Sequence, residues 1–215
     1  EKNEAKASDD KKGEFSNFKE IKVQSLKFAY ENTEILKDAN FTIQRGKKYL
    51  IKGVSGAGKS TLMNLLAKTY DNYEGNILAD GVDYKTIEDR KFQEKVAFIY
   101  QDVFLFEDSI RNNITLYKDI PEERIDFAVK ACRLDILVSE KERGINEILM
   151  ENGKNLSGGQ RQRISIARAI AKEAEILFVD EGTSSLNEDL GRDIEKLFLS
   201  LDQTVIAISH RYYEG

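Results

Sequence analysis

The chain has 215 residues, of which 40% are hydrophobic and 33% are charged, and its formal net charge is -5 at pH 7. A chain of this size can bury a sizeable core in one large domain or two small ones. Its acidic balance argues against a nucleic-acid partner, which usually requires a basic face. No apolar run approaches the roughly 20 residues of a membrane-spanning helix, and the single cysteine, Cys132, excludes an intrachain disulfide.

The first segment, residues 1–20, is polar, mixed in charge and without hydrophobic periodicity. Such a composition favours a disordered linker, so the folded domain is expected to span residues 21–215. The chain does not begin with Met, and we expect it to follow an upstream segment of a longer polypeptide.

Residues 21–51 show alternating polar and apolar residues, which predicts antiparallel strands that lead into a strand before a glycine-rich loop. The loop sequence GVSGAGKST fits the phosphate-binding pattern G-x-x-x-x-G-K-[ST] and precedes an amphipathic helical pattern. Lys59 can reach the β- and γ-phosphates of a nucleotide, and Ser60 can offer its hydroxyl to Mg²⁺. The residues expected to bind the nucleotide here are Gly53, Val54, Ser55, Gly56, Ala57, Gly58, Lys59, Ser60 and Thr61.

The remainder of the chain alternates between strand and helix patterns. Residues 108–146 are mostly helical in pattern, with one helical stretch at residues 121–138, and Cys132 within it is interpreted as an inert core residue. Strands at 175–181 and 204–209 are apolar on both faces, which is typical of a parallel sheet covered by helices. The sequence therefore predicts one α/β domain with a helical insertion between Gln101 and Ser157.

Two acidic residues follow the apolar run ILFV. Asp180 would lie at the tip of a buried strand, where ligands bind in open α/β sheets. It could orient Mg²⁺ through the water shell of the ion, and Glu181 could polarise an attacking water. Beside a phosphate loop, these carboxylates are interpreted as part of the same site.

A second glycine-rich stretch, NLSGGQRQ, precedes the helical pattern at residues 160–172. Serine is a preferred residue at a helix N-terminus, and the glycines clear side chains away so that an anion can approach the exposed N–H groups. No lysine follows the glycines at the phosphate-loop spacing. The stretch is therefore better suited to touching a phosphate that is held elsewhere.

LSGGQ, the following RQRISIARAI and the run ILFVDE together resemble the ATP-binding cassette of ABC transporters closely. The resemblance covers about residues 21–211, with five short motifs in family order. It implies a P-loop NTPase core with a mostly parallel sheet, an N-terminal antiparallel β subdomain and a helical signature subdomain at about residues 102–165. It also implies that two cassettes pack head to tail around two ATP molecules.

The resemblance assigns roles to individual residues. Tyr30 matches the aromatic residue that stacks on adenine, and Asn187 ends a D-loop that commonly ends in Asp, which puts communication between the two sites in doubt. The residues implied in catalysis are Glu181, His210, Lys59 and Gln101; those implied at Mg²⁺ are Ser60, Gln101 and Asp180. The signature residues implied to act on the partner cassette's ATP are Leu156, Ser157, Gly158, Gly159 and Gln160.

Two stretches resemble the exporter type of cassette: Glu151-x-Gly153 just before the signature, and LFEDSIRNNI at residues 105–114. The resemblance implies a transmembrane domain as partner, fused upstream in the native chain, and a location at the cytoplasmic face of the cell membrane. Family cassettes continue for some tens of residues after the histidine that matches His210, so the C-terminal end is expected to be truncated.

Three other functions are compatible with a phosphate loop. A soluble ABC-type ATPase of DNA repair or translation would usually carry a long coiled-coil insertion or a second cassette, and neither pattern is present. A non-hydrolysing nucleotide switch is disfavoured because Glu181 and His210 are retained. A small-molecule P-loop kinase would leave LSGGQ unexplained.

Overall fold

A computed structural model describes Phe15 and residues 17–209 of the chain. Its strands are β1 (Glu20–Tyr30), β2 (Thr33–Gln44), β3 (Lys48–Ile51), β4 (Glu74–Ala79), β5 (Val82–Asp83), β6 (Val96–Ile99), β7 (Ile176–Asp180) and β8 (Thr204–Ile208). Its α-helices are α1 (Lys59–Leu66), α2 (Asp89–Lys95), α3 (Ile110–Thr115), α4 (Glu122–Ala131), α5 (Asp135–Ser139), α6 (Gly158–Ala171) and α7 (Glu188–Ser200). Short 3-10 turns lie at Tyr84–Thr86, Gly144–Asn146 and Glu151–Gly153.

The strands form two sheets of different character. One is antiparallel in the order β2-β1-β4-β5, and the other is parallel in the order β3-β8-β7-β6. This arrangement confirms the predicted α/β fold, with an antiparallel N-terminal part and a parallel sheet that carries the phosphate loop.

Strand β7 is apolar from Ile176 to Val179 because both of its faces are buried. Leu177 and Val179 pack into a hydrophobic core shared with the helical region, whereas Ile176 and Phe178 pack into a second core shared with the antiparallel sheet. Successive side chains of a strand point to opposite faces, so both faces of β7 are covered. A parallel strand between two cores loses the polar-apolar alternation of a half-exposed strand.

The start of the folded domain differs from the prediction. Phe15 and Phe18 are 3% and 2% exposed, and the Phe15 ring centroid lies 4.7 Å from that of Phe92. The expected linker at residues 1–20 is therefore wrong for its described residues, because two aromatic side chains pack into the core and strand β1 begins at Glu20. The average composition of the segment is polar and conceals these two residues.

The helical region lies between β6 and β7 in the chain. The apolar pattern around Cys132 does not form one helix, because Arg133 takes a φ of 50° between α4 and α5. The Arg133 carbonyl accepts a hydrogen bond from the Arg163 guanidinium on α6, which fixes this break. Cys132 is buried as expected, and burial raises the pKa of its thiol to about 12.

Helix α6 begins at Gly158, two residues before the predicted start. Within residues 17–209, no helix is both long enough and apolar enough to cross a lipid bilayer.

Candidate nucleotide-binding site

The carboxyl ends of the parallel strands meet at one edge of the sheet. Ile51 at the end of β3 pairs with Ile208 at the end of β8, which in turn pairs with Asp180 at the end of β7. Ile99 at the end of β6 pairs with Val179. The loops that follow these strands therefore emerge side by side, at the position where open α/β sheets bind ligands.

The phosphate loop leaves β3 and enters α1 at Lys59. Gly58 has a φ of 81°, and a Cβ atom added there would lie 2.6 Å from the Cγ2 atom of Ile35. A side chain is excluded both by this contact and by the left-handed backbone. The Lys59 Nζ atom lies 2.9 Å from the carbonyl oxygens of Gly53 and Val54, so the ammonium group stands directly over the loop.

The first turn of α1 is open to an anion. Its N-cap residue, Gly58, makes no side-chain capping hydrogen bond, and the first N–H groups of a helix have no intrahelical acceptor. Ser60 is exposed in this turn, whereas Thr61 is buried. A loop of exposed N–H groups beside an ammonium group is the chemistry that binds polyphosphate.

Tyr30 lies next to this helix, at the end of β1. Its hydroxyl oxygen is 3.5 Å from the Thr61 Oγ1 atom, and its ring, 43% exposed, makes edge-to-face contacts with Phe28 and Tyr70. A hydrogen bond with Tyr30 is the main cause that raises the pKa of the Tyr70 hydroxyl. The ring predicted to contact adenine is thus half exposed and held from its edge. Tyr70 was missed in the sequence because it stands outside every motif.

Asp180 and Glu181 stand at the end of β7. Asp180 pairs with Ile208 in the sheet, and burial together with the Asp180 charge raises the pKa of the Tyr100 phenol. Glu181 has a φ of 50°, a left-handed conformation that costs a non-glycine residue about 1–2 kcal/mol. Its N–H donates to the Ile208 carbonyl at 3.0 Å, and its carbonyl accepts from the Ser184 N–H at 3.0 Å. These bonds hold the backbone of Glu181 in that conformation.

Gln101 follows β6 and is exposed. The preceding residue, Tyr100, stacks on Phe98 with ring centroids 5.5 Å apart, and Phe98 stacks on Phe178 at 5.1 Å. The stack ties the start of the Gln101 loop to β7. Gln101 and Asp180 therefore emerge from neighbouring strands, as their predicted roles require.

A buried glutamine joins these loops to α6. The Gln162 Nε2 atom donates to the carbonyls of Tyr100 at 3.3 Å and Gly182 at 2.9 Å, and the residue is 1% exposed. Gln162 was not predicted as a functional residue. In the sequence it is one of several polar residues after LSGG, and only the tertiary structure shows what its amide contacts.

The signature loop begins α6 with a reciprocal cap. The Ser157 Oγ atom accepts from the Gln160 N–H at 3.2 Å, and the Gln160 Oε1 atom accepts from the Ser157 N–H at 2.8 Å. Leu156 is buried beneath it. A Cβ atom added at Gly159 would lie 3.4 Å from the Ser185 carbonyl oxygen, so the loop also packs on the segment after Glu181.

The cap uses one of the two acceptor lone pairs of the Ser157 hydroxyl, and its O–H remains a donor. Asn187 acts in the same way at the next helix, where its Oδ1 atom accepts from the Leu190 N–H at 3.0 Å and caps α7. Asp and Asn cap helices equally well. The presence of Asn187 where the family commonly has Asp therefore preserves the start of that helix.

The predicted exporter-type loop is fixed to the loop after Gln101. The Asn152 Oδ1 atom accepts from the Leu105 N–H at 3.2 Å, and a Cβ atom at Gly153 would lie 2.9 Å from the Leu105 Cδ1 atom. Asn152 and Gly153 have φ values of 51° and 62°. The close approach explains the glycine, and the contact links two segments 47 residues apart.

The structure thus brings the phosphate loop, Gln101, Asp180 and Glu181 to one sheet edge. His210 lies outside the described residues, so its predicted role stays a prediction. The fold and this edge define a P-loop nucleotide-binding domain.

A family model described as "ABC transporter" matches residues 36–184. Because the match covers more than half of the 215 residues, the chain belongs to the ABC transporter family, and the family match implies ATP as its nucleotide.

The relatives include proteins named "ATP-dependent lipid A-core flippase". The chain is 40% identical to the one from Desulfotalea psychrophila, over 90% of this chain and 35% of that protein. It is 38% identical to the one from Vibrio parahaemolyticus, over 89% of this chain and 34% of that protein.

A solved structure titled "Structure of a bacterial Atm1-family ABC exporter with ATP bound" matches with a TM-score of 0.84 and 33% identity. It covers 91% of this chain and 35% of that chain. The chain thus spans about a third of the length of the curated relatives it matches.

Proposed function

We propose that the chain is the ATP-hydrolysing nucleotide-binding domain of an ABC exporter. The observation that carries the proposal is the pairing of two unlike helix starts in one chain. The phosphate loop offers uncapped N–H groups and Lys59, whereas the signature loop is capped by Ser157 and Gln160 and has no lysine. The first can hold a nucleotide, and the second can complete a site only on a second copy or a related cassette.

In the proposed reaction the chain positions ATP and stabilises charge. The loop from Gly53 to Thr61 holds the phosphates, with Tyr30 at the base and Lys59 on the β- and γ-phosphates. Glu181 orients the attacking water, and Gln101 and His210 stabilise charge at the γ-phosphate. Ser157 and Gly159 of the partner cassette close the site from the other side.

The residues at the sheet edge fit Mg²⁺. Ser60 supplies a hydroxyl, Asp180 a carboxylate and Gln101 an amide oxygen, and this hard cation prefers oxygen donors. Bound Mg²⁺ would neutralise charge between the β- and γ-phosphates. Ser60 lies in the first turn of α1, at the end of the phosphate loop that follows β3, and Asp180 ends β7, two strands away from β3 in the same sheet. This placement lets both side chains approach one cation together with phosphate oxygens.

An exposed apolar patch supports a membrane-domain partner. The patch consists of Phe104, Phe106, Tyr117 and Met150, which are between 42% and 68% exposed. The Phe104 and Phe106 rings are in edge-to-face contact, and Asp108 joins the patch by accepting from the Tyr117 hydroxyl and, through its carbonyl, from the Leu149 N–H. Contiguous exposed apolar surface marks interaction sites. We infer that this patch docks on the transmembrane domain of the exporter, at the cytoplasmic face of the membrane.

The exporter reading is supported over the alternatives by the relatives and by the exporter-type loop at residues 151–153, which contacts the same patch region through Leu105. Nothing in these comparisons favours an ATPase of DNA repair, a nucleotide switch or a small-molecule kinase.

The test is ATP hydrolysis by the purified chain, measured as phosphate release with Mg²⁺ and with EDTA. We expect Mg²⁺-dependent turnover that rises more steeply than linearly with protein concentration, because two cassettes form the site. Lys59→Ala is the matched variant, and losing its ion pairs with phosphate should weaken ATP binding roughly tenfold or more. Turnover that is first order in protein, or ATP affinity by calorimetry that is unchanged in Lys59→Ala, would contradict the proposal.

A further inference from the structure

The strongest unassigned feature is the side chain of Gln162 in the first part of α6. Its amide nitrogen donates to two carbonyls, and each carbonyl belongs to the neighbour of a residue with a proposed part in hydrolysis. Tyr100 precedes Gln101, and Gly182 follows Glu181. One side chain of the signature helix thus touches both loops.

We propose that Gln162 is a positioning residue for ATP hydrolysis, which holds the backbones beside Gln101 and Glu181 in fixed register with the signature helix. The inference rests on the proposed function. Gln162 is buried and its amide contacts the backbone of both loops, so its proposed effect is exerted through them.

The orientation of the amide is determined by its surroundings. The Gln162 Oε1 atom is buried and has no hydrogen-bond partner among the described residues. Reversing the amide would place this oxygen against two carbonyl oxygens and leave both without a donor. An unpaired buried acceptor is unfavourable, and an apolar residue would avoid it. Polar groups retained at such a cost are expected at functional sites.

The Gly182 acceptor is also held from other sides. A Cβ atom at Gly182 would lie 2.7 Å from the Val179 Cγ1 atom and 2.8 Å from the Ile99 Cγ2 atom. The backbone of residue 182 is therefore packed between the ends of β7 and β6. With its carbonyl bound to Gln162, Gly182 has little room to move. The strained backbone of Glu181, immediately before it, is restrained by this neighbour.

The Gln101 loop is attached to α6 at a second point. Arg168, further along the helix, donates to the carbonyls of Phe104 at 3.1 Å and Asn113 at 2.7 Å. Gln162 and Arg168 therefore hold residues 100 and 104 to the same helix, with Gln101 between them. Removing Gln162 frees the end of the loop that is nearest to Gln101 and leaves the other end attached.

The test compares Gln162→Met, which keeps the side-chain length and removes both donors, with Ser165→Ala on the same helix. Ser165 is also buried, so the control changes helix packing and leaves the two hydrogen bonds of Gln162 in place. Thermal unfolding followed by circular dichroism establishes that each variant folds. We expect kcat of Gln162→Met to fall about tenfold to a hundredfold, with KM for ATP within about twofold, since the phosphate loop is unchanged. A folded variant with kcat within about twofold of the wild type would overturn the proposal.

A second variant, Gln162→Glu, keeps the proposal testable if Gln162→Met does not fold. In Gln162→Glu the carboxylate opposes two carbonyl oxygens, whereas the protonated carboxyl can donate to one of them. Burial favours the protonated form, so kcat of this variant relative to the wild type should rise as the pH is lowered. A ratio that stays flat over a pH range in which thermal unfolding of this variant shows the carboxyl to titrate would overturn the positioning role, because kcat would then not depend on the donor.

Hydrogen exchange separates this proposal from the proposed function. Backbone exchange at residues 97–106 and 177–187 should increase in Gln162→Met and stay unchanged in Ser165→Ala, whether or not ATP is hydrolysed. Unchanged exchange in both segments would overturn the link. A wild-type chain without Mg²⁺-dependent turnover would instead overturn the proposed function and leave the exchange result standing.

Discussion

The two glycine-rich helix starts of this chain look alike in sequence and differ in what their N–H groups contact. At α1 the N-cap is Gly58 in a left-handed conformation, and no side chain caps the helix. At α6, Ser157 and Gln160 cap each other. A helix start that leaves its donors open can bind an anion alone, whereas a self-capped one needs no ligand to be stable. The signature loop is thus preformed before any phosphate meets it.

The comparison extends to what supports each loop. The phosphate loop is held by the antiparallel part, since Ile35 of β2 contacts the position of Gly58. The signature loop packs on the segment after Glu181, through Gly159 and Ser185. The phosphate loop is therefore packed against strand β2 of the antiparallel sheet. The signature loop is packed against the segment that follows Glu181, the proposed water-positioning residue.

The largest effect is expected when hydrolysis is blocked and both the phosphate loop and the signature loop are left unchanged. In Glu181→Gln the attacking water loses its base, and kcat should fall by about 10²–10⁴-fold. Both helix starts remain intact, so ATP should hold two copies together as a dimer, measured by size-exclusion chromatography with light scattering. The same variant with ADP serves as control. Hydrolysis at the wild-type rate would remove Glu181 from the chemistry.

Mixing two inactive variants tests whether the two loops act on the same ATP in different chains. Lys59→Ala damages the phosphate loop, and Ser157→Arg places a bulky side chain at the capped start of α6. A heterodimer of the two contains at most one intact composite site, so mixing should restore part of the activity that each variant lacks alone. Mixing that restores no activity, or normal hydrolysis by Ser157→Arg alone, would show that the sites are not shared between chains.

Matched glycine substitutions separate the loops by stability. In Gly58→Ala the new methyl group meets Ile35 and the backbone φ is 81°, so the free energy of unfolding should fall by about 1–3 kcal/mol. In Gly158→Ala the nearest atom is 3.9 Å away, at the Arg161 guanidinium, and the change should stay within about 0.5 kcal/mol. Urea unfolding measures both. Equal losses of stability would contradict the difference in how the two loops are built.

Much of this site could be predicted from sequence because its parts are local. The phosphate loop, the apolar strand before Asp180 and the serine cap at Ser157 each depend on a few neighbouring residues. Local pattern also predicts the two sheets, the antiparallel one from polar-apolar alternation and the parallel one from strands that are apolar on both faces. No local sequence pattern predicts a role for Gln162, because its partners Tyr100 and Gly182 lie 62 and 20 residues away in the chain.

The two wrong predictions, the linker at residues 1–20 and the single helix through Cys132, also arise because contacts between distant residues cannot be seen in a local sequence pattern. Phe15 and Phe18 were placed in a linker because the surrounding residues are polar, although each ring finds partners in the core. The helical pattern through Cys132 concealed the break at Arg133, because the break is stabilised by Arg163 from another helix. Local pattern predicts an element, but a distant side chain decides where it ends.

The smallest expected effect concerns Cys132, which reports whether the helical region opens separately from the sheet. Its hydrophobic core also contains Ala97, Leu177 and Val205 of the parallel sheet, so the two loops are expected to rest on one cooperative unit. Burial raises the pKa of the thiol to about 12 from its ordinary value of 9.0. The unfolded chain therefore ionises first, and the stability contributed by the neutral thiol is present below about pH 9 and lost towards pH 12.

At about pH 8, alkylation of Cys132 by iodoacetamide should accordingly require unfolding, because only the thiolate reacts. The free energy derived from its rate should equal that from urea unfolding, and activity should be unchanged in Cys132→Ala apart from stability. Faster alkylation under native conditions would show that the helices behind the signature loop open on their own. The two helix starts would then rest on separately stable parts, and closing the site on ATP would also have to order the signature side.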